Sequence, residues 1–204
     1  LVITFDDGYR DNHDVVLPVL LKNGLKATFF VTAGFIESGE VPWWDEVAYC
    51  ARHRRDLAAV ACEAYLPSGD VEEKELVSDS NKLKATLLAV CKRVPDETRR
   101  QMLAELREKC GRIPEELARN LFMTWEHIRG LAVAGMEVGS HTMTHPVLSS
   151  IRNSDLMRWE LEESKRIIEA QTAQDVEVLA YPVGGADAVS DAVVEAARDA
   201  GYRF

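Results

Sequence analysis

The stretch Leu1-Val2-Ile3-Thr4-Phe5-Asp6-Asp7-Gly8 is an apolar run that ends abruptly in two carboxylates and a glycine. The apolar part predicts a buried strand over residues 1–5, and Asp-Asp-Gly predicts a turn directly after it. Valine and leucine then recur at helical spacing over residues 11–23, where Pro18 is expected to kink the helix or delay its start. Residues 26–31 predict a second strand, and a crossover helix between two strands implies that they are parallel.

The same alternation of strands and helices returns in the last part of the chain. Thr124 is expected to cap a helix that stops at Gly135. Strands are predicted over residues 136–139 and 176–180, and helices over residues 154–170 and 187–200. Strands that alternate with helices favour an α/β fold built on a parallel sheet or barrel.

Residues 42–122 interrupt this alternation because their pattern is mainly helical. Helices are predicted over residues 71–93 and 96–110, with a loop at residues 67–70. We therefore expect a single domain over residues 1–204 that carries a helical insertion at about residues 42–122.

The composition suits a globular domain and disfavours two classes of partner. The 204 residues are 47% hydrophobic, which is enough for a sizeable core, and the formal net charge is −10. An acidic chain is a poor match for nucleic acid or an anionic membrane surface, so we expect no nucleic acid partner. The sequence has no run of 18 apolar residues, so we expect no membrane span in this chain. No feature of the sequence specifies an oligomeric state.

The four cysteines lie within the predicted insertion and lack the Cys-x-x-Cys spacing of zinc ribbons and redox motifs. One interpretation is that they are small buried apolar residues, and another is that they form one or two disulfides in an exported protein. A metal site is the third. The cysteines concerned are Cys50, Cys62, Cys91 and Cys110.

Polar residues directly follow several of the predicted strands. Asp6 and Asp7 follow the first strand, His141 and His145 follow the third, and residues 181–185 follow the fourth. In parallel α/β folds, functional residues gather beyond the carboxyl ends of the strands. We therefore expect these three groups to converge on one face of the domain.

His141 and His145 are four residues apart, and on a helical turn this spacing would put both imidazoles on one face. Two histidines and one carboxylate can hold a metal ion and leave positions for water and substrate, as in a catalytic site. The alternative is two unrelated loop histidines, hydrogen-bonded by the threonines and serines around them. Of Asp6 and Asp7, one can bind the metal while the other accepts a proton from water, and the alternative is an ordinary Asp-Gly turn.

Two of these motifs resemble those of a known enzyme family. Thr4-Phe5-Asp6-Asp7-Gly8 and Ser140-His141-Thr142-Met143-Thr144-His145 look like the first two motifs of the NodB-like polysaccharide deacetylases, carbohydrate esterase family four. Val178-Leu179-Ala180-Tyr181-Pro182-Val183-Gly184 is similar to the third motif, and Pro42-Trp43-Trp44-Asp45-Glu46 to a feature of some members. The resemblance covers residues 1–36 and 123–204 and implies a distorted, incomplete (β/α) barrel with a helical insertion.

The resemblance also implies a hydrolase that removes acetyl groups from an acetylated glycan. Asp7, His141 and His145 would hold one divalent metal ion, usually Zn²⁺, with Co²⁺, Ni²⁺ or Mn²⁺ as alternatives. Asp6 would be the general base, and the backbone N–H of Val183 would stabilise the oxyanion. An extracytoplasmic or cell-envelope location is expected from the family.

The sequence departs from the family pattern in three respects. Ala180 stands where the family commonly has an arginine that steadies the base, and Val183 stands where an aromatic residue is common. The family's later Leu-x-His motif, whose histidine protonates the leaving group, is not visible. We therefore expect the chain to lack the last strands of the domain.

Four aromatic or ring-bearing residues are candidates for substrate contacts. Tyr181 and Pro182 belong to the third motif. Trp43 and Trp44 could either stack on sugar rings or anchor the insertion by packing. The remaining histidines are expected to be structural or surface residues, namely His13, His53 and His127, and for His13 the alternative is a position next to the substrate, because it is close in sequence to Asp6 and Asp7.

Three functions follow from these residues. The first is hydrolysis of acetyl groups, with N-acetyl on a hexosamine polymer favoured over O-acetyl on xylan. The second is hydrolysis of a small cyclic amide, which relatives of the same barrel perform and which a pocket closed by the insertion would suit. The third is a catalytically degenerate domain that binds glycan, suggested by Ala180 and the missing acid, although the intact Asp6, Asp7, His141 and His145 argue against it.

Overall fold

A computed structural model describes residues 1–65, 79–118 and 120–203. The chain divides into two compact units. The first, which we call the α/β unit, comprises Leu1–Glu40 and Ala118–Phe204, and the second, the helical unit, comprises Val41–Leu117. That the whole chain is one domain with an insertion at residues 42–122 stays a prediction.

The α/β unit is built on a parallel sheet of three strands in the order β1-β2-β3. The strands are β1 (Thr4–Phe5), β2 (Thr28–Val31) and β3 (Glu137–Ser140). Phe5 pairs with Phe29, and Phe29 pairs with Val138, so the three strands are aligned and their carboxyl ends share one edge. The predicted α/β class with a parallel sheet is therefore confirmed.

Two predicted strands are shorter in the structure. The strand expected over residues 1–5 is limited to Thr4–Phe5, and Leu1 and Val2 are exposed. Among the described residues β1 pairs only with β2, so a buried run from Leu1 onward was wrong. The strand expected over residues 176–180 is reduced to a parallel bridge between Leu179 and Ser140. The Val176 N–H donates to the Glu169 side chain and the Glu177 carbonyl accepts the Arg203 N–H, so these groups do not extend the pairing with β3.

Helices cover the sheet and bury its apolar side chains. Phe29 and Val138 lie in a core that includes Ile128, Leu161 and Ile168 from the surrounding helices. The α-helices of this unit are Leu17–Lys22, Ala33–Ser38, Trp125–Val133, Ser154–Arg158, Ser164–Thr172 and Asp191–Asp199. Short 3₁₀ turns occur at Leu148–Ser150 and Ala186–Ala188. None of the helices in the described part of the chain is long and apolar enough to cross a membrane.

Two of the predicted helices contain a π-helical turn. The first helix opens with π-helical residues Asn12–Val16, because the Leu17 N–H donates to the Asn12 carbonyl and Pro18 has no N–H to continue an α-helical pattern. The second predicted helix, residues 154–170, extends to Thr172 and is π-helical at Trp159–Glu163. Hydrophobic periodicity predicted the extent of both helices and missed both π-helical turns.

The ends of two helices in this unit agree only in part with the predicted capping residues and bounds. Thr124 is the N-cap of Trp125–Val133, where its hydroxyl accepts the N–H of His127, and Gly135 adopts a left-handed φ of 76° just after the helix. The helix expected over residues 187–200 begins at Asp191 instead, because Ser190 caps it.

The helical unit has its own core. Its α-helices are Trp43–His53, Arg55–Cys62, Ser80–Arg93 and Asp96–Cys110, with a 3₁₀ turn at Glu63–Tyr65. A further short helix, Glu115–Ala118, spans the boundary between the two units. The helix predicted over residues 96–110 is confirmed. The helix predicted over residues 71–93 is seen from Ser80, where Asp79 caps it; its residues 71–78 and the predicted loop at 67–70 lie outside the described residues.

All four cysteines are buried in the core of the helical unit, and none forms a disulfide. Burial raises the pKa of the Cys62 thiol to about 12 and that of the Cys91 thiol to about 11. The structure therefore favours the interpretation of these residues as small buried apolar side chains.

Candidate metal site and its supporting loop

The shared edge of the sheet brings Asp7 together with His141 and His145. The Asp7 Oδ1 atom lies 3.5 Å from Nε2 of His141 and 3.4 Å from Nε2 of His145. Both histidines are buried, and their rings meet edge to face at a centroid separation of 4.7 Å. Together these three side chains offer two nitrogens and one oxygen within 4.8 Å of one another.

Asp6 and Asp7 occupy the turn after β1. Asp7 has a left-handed φ of 71° and Gly8 a φ of 87°, and the Gly8 N–H donates to the Asp6 carbonyl at 2.9 Å. The Thr32 N–H, from the end of β2, donates to the Asp7 carbonyl at 3.3 Å. As a result Asp7 is partly buried beside the histidines, whereas Asp6 is exposed.

The two histidines are not on a helical turn, so that part of the prediction was wrong. Residues 141–147 form an irregular loop, and Thr142 and His145 have left-handed φ angles of 68° and 54°. The Thr142 hydroxyl accepts the N–H of His145 at 3.1 Å and closes the loop. The two left-handed residues, rather than helical spacing, bring the rings to the same place.

Backbone groups that follow β2 hold one side of this loop. The Ala33 N–H donates to the Thr142 carbonyl at 3.1 Å, and the Gly34 N–H donates to the Met143 carbonyl at 3.0 Å. A Cβ atom on Gly34 would lie 2.3 Å from the Met143 oxygen. Glycine is therefore required at position 34 for the helix and the loop to approach so closely.

The other side of the loop meets a buried carboxylate that the sequence did not reveal. Glu160 is fully buried and accepts hydrogen bonds from the backbone N–H groups of Met143 and Thr144. Because Glu160 stands beside Leu161 in a helix rich in charged residues, it resembles an ordinary surface glutamate in the sequence. It lies in the π-helical turn Trp159–Glu163, for which the sequence carries no clear signal.

A backbone carbonyl fixes the orientation of the His141 ring. Its Nδ1 atom lies 2.7 Å from the Ala180 carbonyl oxygen, which can only accept, so Nδ1 carries the proton and Nε2 keeps its lone pair toward Asp7. Burial lowers the pKa of His141, against the opposing effects of the Ala180 carbonyl and the charge on Asp6. The neutral ring is the form that binds metals.

The separations between the ligand atoms fit a single metal ion. At 3.4 and 3.5 Å, the two nitrogen-to-oxygen distances are longer than a charge-assisted hydrogen bond of roughly 2.7–2.9 Å. Two ligands at about 2.1 Å from a tetrahedral zinc are separated by about 3.4 Å. Asp7, His141 and His145 can therefore hold one ion with an open position for water.

The third motif contributes residues of different exposure. Tyr181 is half buried and packs on the core, and Pro182 is buried. Val183 is exposed, with a left-handed φ of 70°, and Gly184 follows with a φ of 65°. The segment is tied to His141, one of the candidate metal ligands, through the Ala180 carbonyl.

Trp43 and Trp44, the other candidates for substrate contacts, belong to the helical unit. Trp43 is buried in its core, beneath the Arg99 guanidinium at 5.3 Å, and packs edge to face against Trp44. Trp44 is half buried against the same core. These contacts fit the packing alternative, and stacking on a sugar ring stays a prediction.

A second cluster, formed by His13, Asp14 and His127, also brings possible ligands together. The Asp14 carboxylate is already paired with Arg10 at 2.9 Å, and its second oxygen lies 2.9 Å from His13 Nδ1. The His127 Nδ1 atom accepts the N–H of Thr124 at 3.1 Å, so Nε2 carries the proton. A guanidinium and a protonated Nε2 both oppose metal binding, and the cluster is better described as a helix cap beside an ion pair.

Solved structures with a similar fold come from several bacteria. The deacetylase PplD of Streptococcus pyogenes, solved with acetate, aligns over 98% of this chain and 52% of its own, with a TM-score of 0.55 and 18% identity. The deacetylase domain of BpsB from Bordetella bronchiseptica aligns over 98% and 60%, with a TM-score of 0.55 and 16% identity. IcaB from Ammonifex degensii aligns over 98% and 56%, with a TM-score of 0.54 and 16% identity.

The fold predicted from the motifs is confirmed by these similarities, and the chain spans 52–60% of the length of the three structures. No curated protein sequence matches the chain. A family model described as polysaccharide deacetylase matches residues 1–59 and 69–204. The chain therefore belongs to the polysaccharide deacetylase family.

Proposed function

We propose that this chain carries the metal-dependent active site of an enzyme that removes acetyl groups from a glycan, most favourably N-acetyl groups from a hexosamine polymer. The observation that carries the proposal is the convergence of two histidine Nε2 atoms on one Asp7 oxygen, at 3.4 and 3.5 Å. Membership of the polysaccharide deacetylase family supports the substrate class. Such a polymer substrate agrees with a location outside the cytoplasm or in the cell envelope.

Asp7, His141 and His145 would hold the ion. A ligand set of two imidazoles and one carboxylate suits Zn²⁺ best, and Co²⁺, Ni²⁺ and Mn²⁺ accept the same donors. A bound divalent ion would polarise the acetyl carbonyl and lower the pKa of water at the site. Two features of the chain favour binding of such an ion. The rings of His141 and His145 are buried, and the Ala180 carbonyl fixes the His141 tautomer that leaves Nε2 unprotonated.

Asp6 would take the proton from the attacking water. It is adjacent to Asp7 and exposed, so its carboxylate can reach water while Asp7 faces the histidines. The backbone N–H of Val183 would donate to the oxyanion that forms when water adds to the acetyl carbonyl. Collapse of this adduct would break the bond from the acyl carbon to the sugar nitrogen, and the nitrogen would take a proton from water, so that acetate and a free amine are released. Tyr181 and Pro182 would shape the substrate side of the third motif.

A zinc titration by calorimetry tests the metal site. The wild-type chain is expected to bind one Zn²⁺, and His145→Ala is expected to remove binding because it deletes one of three ligands. His53→Ala is the matched control, since His53 is an exposed histidine in the helical unit and should leave binding unchanged. A folded wild-type chain that takes up no zinc, or an H145A chain that binds as well as wild type, would contradict the proposal.

The substrate is tested by acetate release from an acetylated hexosamine oligomer with the full-length protein. Acetate release that disappears on zinc removal is the expected result. Ring opening of a small cyclic amide without any acetate release would favour the amidohydrolase alternative. Zinc binding with no hydrolysis of either compound would favour a glycan-binding domain.

A further inference from the structure

Glu160 is a fully buried carboxylate in the helical stretch 154–172. Its Oε2 atom accepts the backbone N–H groups of Met143 and Thr144, each at 2.9 Å, and its Oε1 atom accepts the Thr144 hydroxyl at 2.5 Å. A carboxylate taken out of water is strongly disfavoured unless its oxygens are hydrogen-bonded. The burial of Glu160 is therefore linked directly to the conformation of the loop that supplies these donors.

The residues that Glu160 contacts lie between the two proposed metal ligands, His141 and His145. The loop bends through left-handed residues on both sides of this contact, at Thr142 and His145. Left-handed φ is unfavourable for residues with a Cβ and persists only where the surroundings impose it. Two successive N–H groups directed at one anionic oxygen are a stable arrangement for such a bend. Glu160 thus provides the hydrogen-bond acceptor that stabilises this bend, and the loop residues themselves provide no such acceptor for the N–H groups of Met143 and Thr144.

The helix that carries Glu160 contacts the loop at a second point. Ser164 follows Glu160 by four residues, and its hydroxyl lies 2.8 Å from the hydroxyl of Ser140, the residue before His141. The Ser140 hydroxyl in turn accepts the N–H of Thr142 at 3.2 Å. The π-helical turn at Trp159–Glu163 lets Glu160 face inward beside the buried Leu161. One helix therefore fixes both the start and the middle of the loop.

We propose that Glu160 is a positioning residue for the metal site: it holds residues 143–144 so that His141 and His145 face Asp7 before any metal binds. It acts through the backbone N–H groups of Met143 and Thr144 and through the Thr144 hydroxyl. The inference rests on the proposed function, because it assigns Glu160 a role in metal affinity at the same three ligands.

The test is zinc affinity measured by calorimetry on the whole chain below the thermal midpoint of each apo variant. Glu160→Met removes both acceptor oxygens and should weaken zinc binding by about 10- to 100-fold, the range found when groups supporting metal ligands are removed. Glu160→Gln keeps one acceptor oxygen and should give an intermediate affinity. The control is Glu162→Met, the same change at an exposed glutamate of the same turn, which should bind like wild type.

The stoichiometry distinguishes positioning from a purely structural role. If the substitutions only leave part of the sample irreversibly misfolded, the number of bound ions falls and the dissociation constant is unchanged, which would overturn the inference; reversible unfolding is kept negligible by working below the thermal midpoint. Positioning predicts one ion per chain with a raised dissociation constant. If Glu160→Met does not fold, the zinc affinity of Glu160→Gln tests the inference instead. Wild-type zinc affinity in Glu160→Gln would then overturn it. Absence of zinc binding in the wild-type chain would instead contradict the proposed function.

Discussion

Replacement of Gly34 by alanine should disturb the candidate metal site from a distance. Gly34 lies in the first turn of the helix Ala33–Ser38, and its Cβ would stand 2.3 Å from the Met143 carbonyl oxygen. Real Cβ atoms essentially never approach closer than 3.0 Å, so the helix and the histidine loop must separate by about 0.7 Å. The obstructing atom belongs to the backbone, so rotation of a side chain cannot relieve the contact.

This displacement is large compared with the tolerance of a metal site. Ligand distances in such sites hold to within about 0.2 Å, so a shift of the loop that carries both histidines should weaken zinc binding at least about tenfold. Overpacking costs about 1–3 kcal/mol of unfolding free energy. For a chain of 204 residues this lowers the thermal midpoint by roughly 2–12 °C.

Calorimetric zinc titration and thermal unfolding of the apo chain measure both effects. Gly130→Ala is the matched control, since Gly130 lies inside the helix Trp125–Val133 and its Cβ would meet only His13 Nε2, at an ordinary 3.5 Å, and Cδ2 of the same ring. This variant should keep the zinc affinity and unfold at the same temperature or higher, because alanine favours helix over glycine. Wild-type zinc affinity in Gly34→Ala would refute the reasoning that the close backbone contact positions the loop.

Two further predictions concern a proton acceptor and a helix cap. Asp6→Asn should lower acetate release by the full-length protein about 10²- to 10⁴-fold while zinc still binds, and unchanged turnover would exclude Asp6 as the base. Burial, with the nearby charges of His13 and Arg10, lowers the pKa of His127 below 6.5 in the folded chain. As the pH falls, the His127 ring is therefore protonated in the unfolded chain before it is protonated in the folded chain, and the free energy of unfolding decreases. His127→Gln keeps the capping box with Thr124 and removes the titration. Its thermal midpoint should therefore fall less than that of wild type between about pH 7.5 and 5.5, and an equal fall would show that His127 does not contribute.

The location of the candidate site could be predicted from the sequence because parallel strands share an edge. Asp7 is the second residue after β1 and His141 is the first after β3, so once both strands join one sheet the residues that follow them lie at the same edge. No long-range detail is needed for this inference. The assignment of catalytic and metal-binding roles to these residues stays a prediction.

The conformation of the histidine loop could not be predicted, because distant residues impose it. The spacing of His141 and His145 suggested a helical turn, yet the left-handed φ of Thr142 and His145 depends on partners elsewhere in the chain. Hydrogen bonds from Ala33 and Gly34 and to Glu160 hold the loop, and none of these partners is near it in sequence. Local propensity carries no information on such contacts.

The lengths of the strands and the π-helical turns could not be predicted either, because they also depend on contacts in the folded chain. Residues 176–180 are apolar enough for a strand, yet Val176 and Glu177 bond to Glu169 and Arg203 and only Leu179 forms a bridge to β3. A π-helical turn changes the direction in which side chains point without breaking the apolar pattern of the helix. For this reason Glu160 could be identified as a buried residue only in the folded chain.

The burial of the four cysteines has a consequence for how the thiols react. All of them lie in the helical unit, so a thiol-specific reagent can modify the chain only when that unit opens. With thiol pKa values of about 12 for Cys62 and about 11 for Cys91, very little thiolate is present in the closed state. The rate of labelling therefore reports the opening of the helical unit alone, and the same opening rate sets how long the thiols survive in oxidising surroundings.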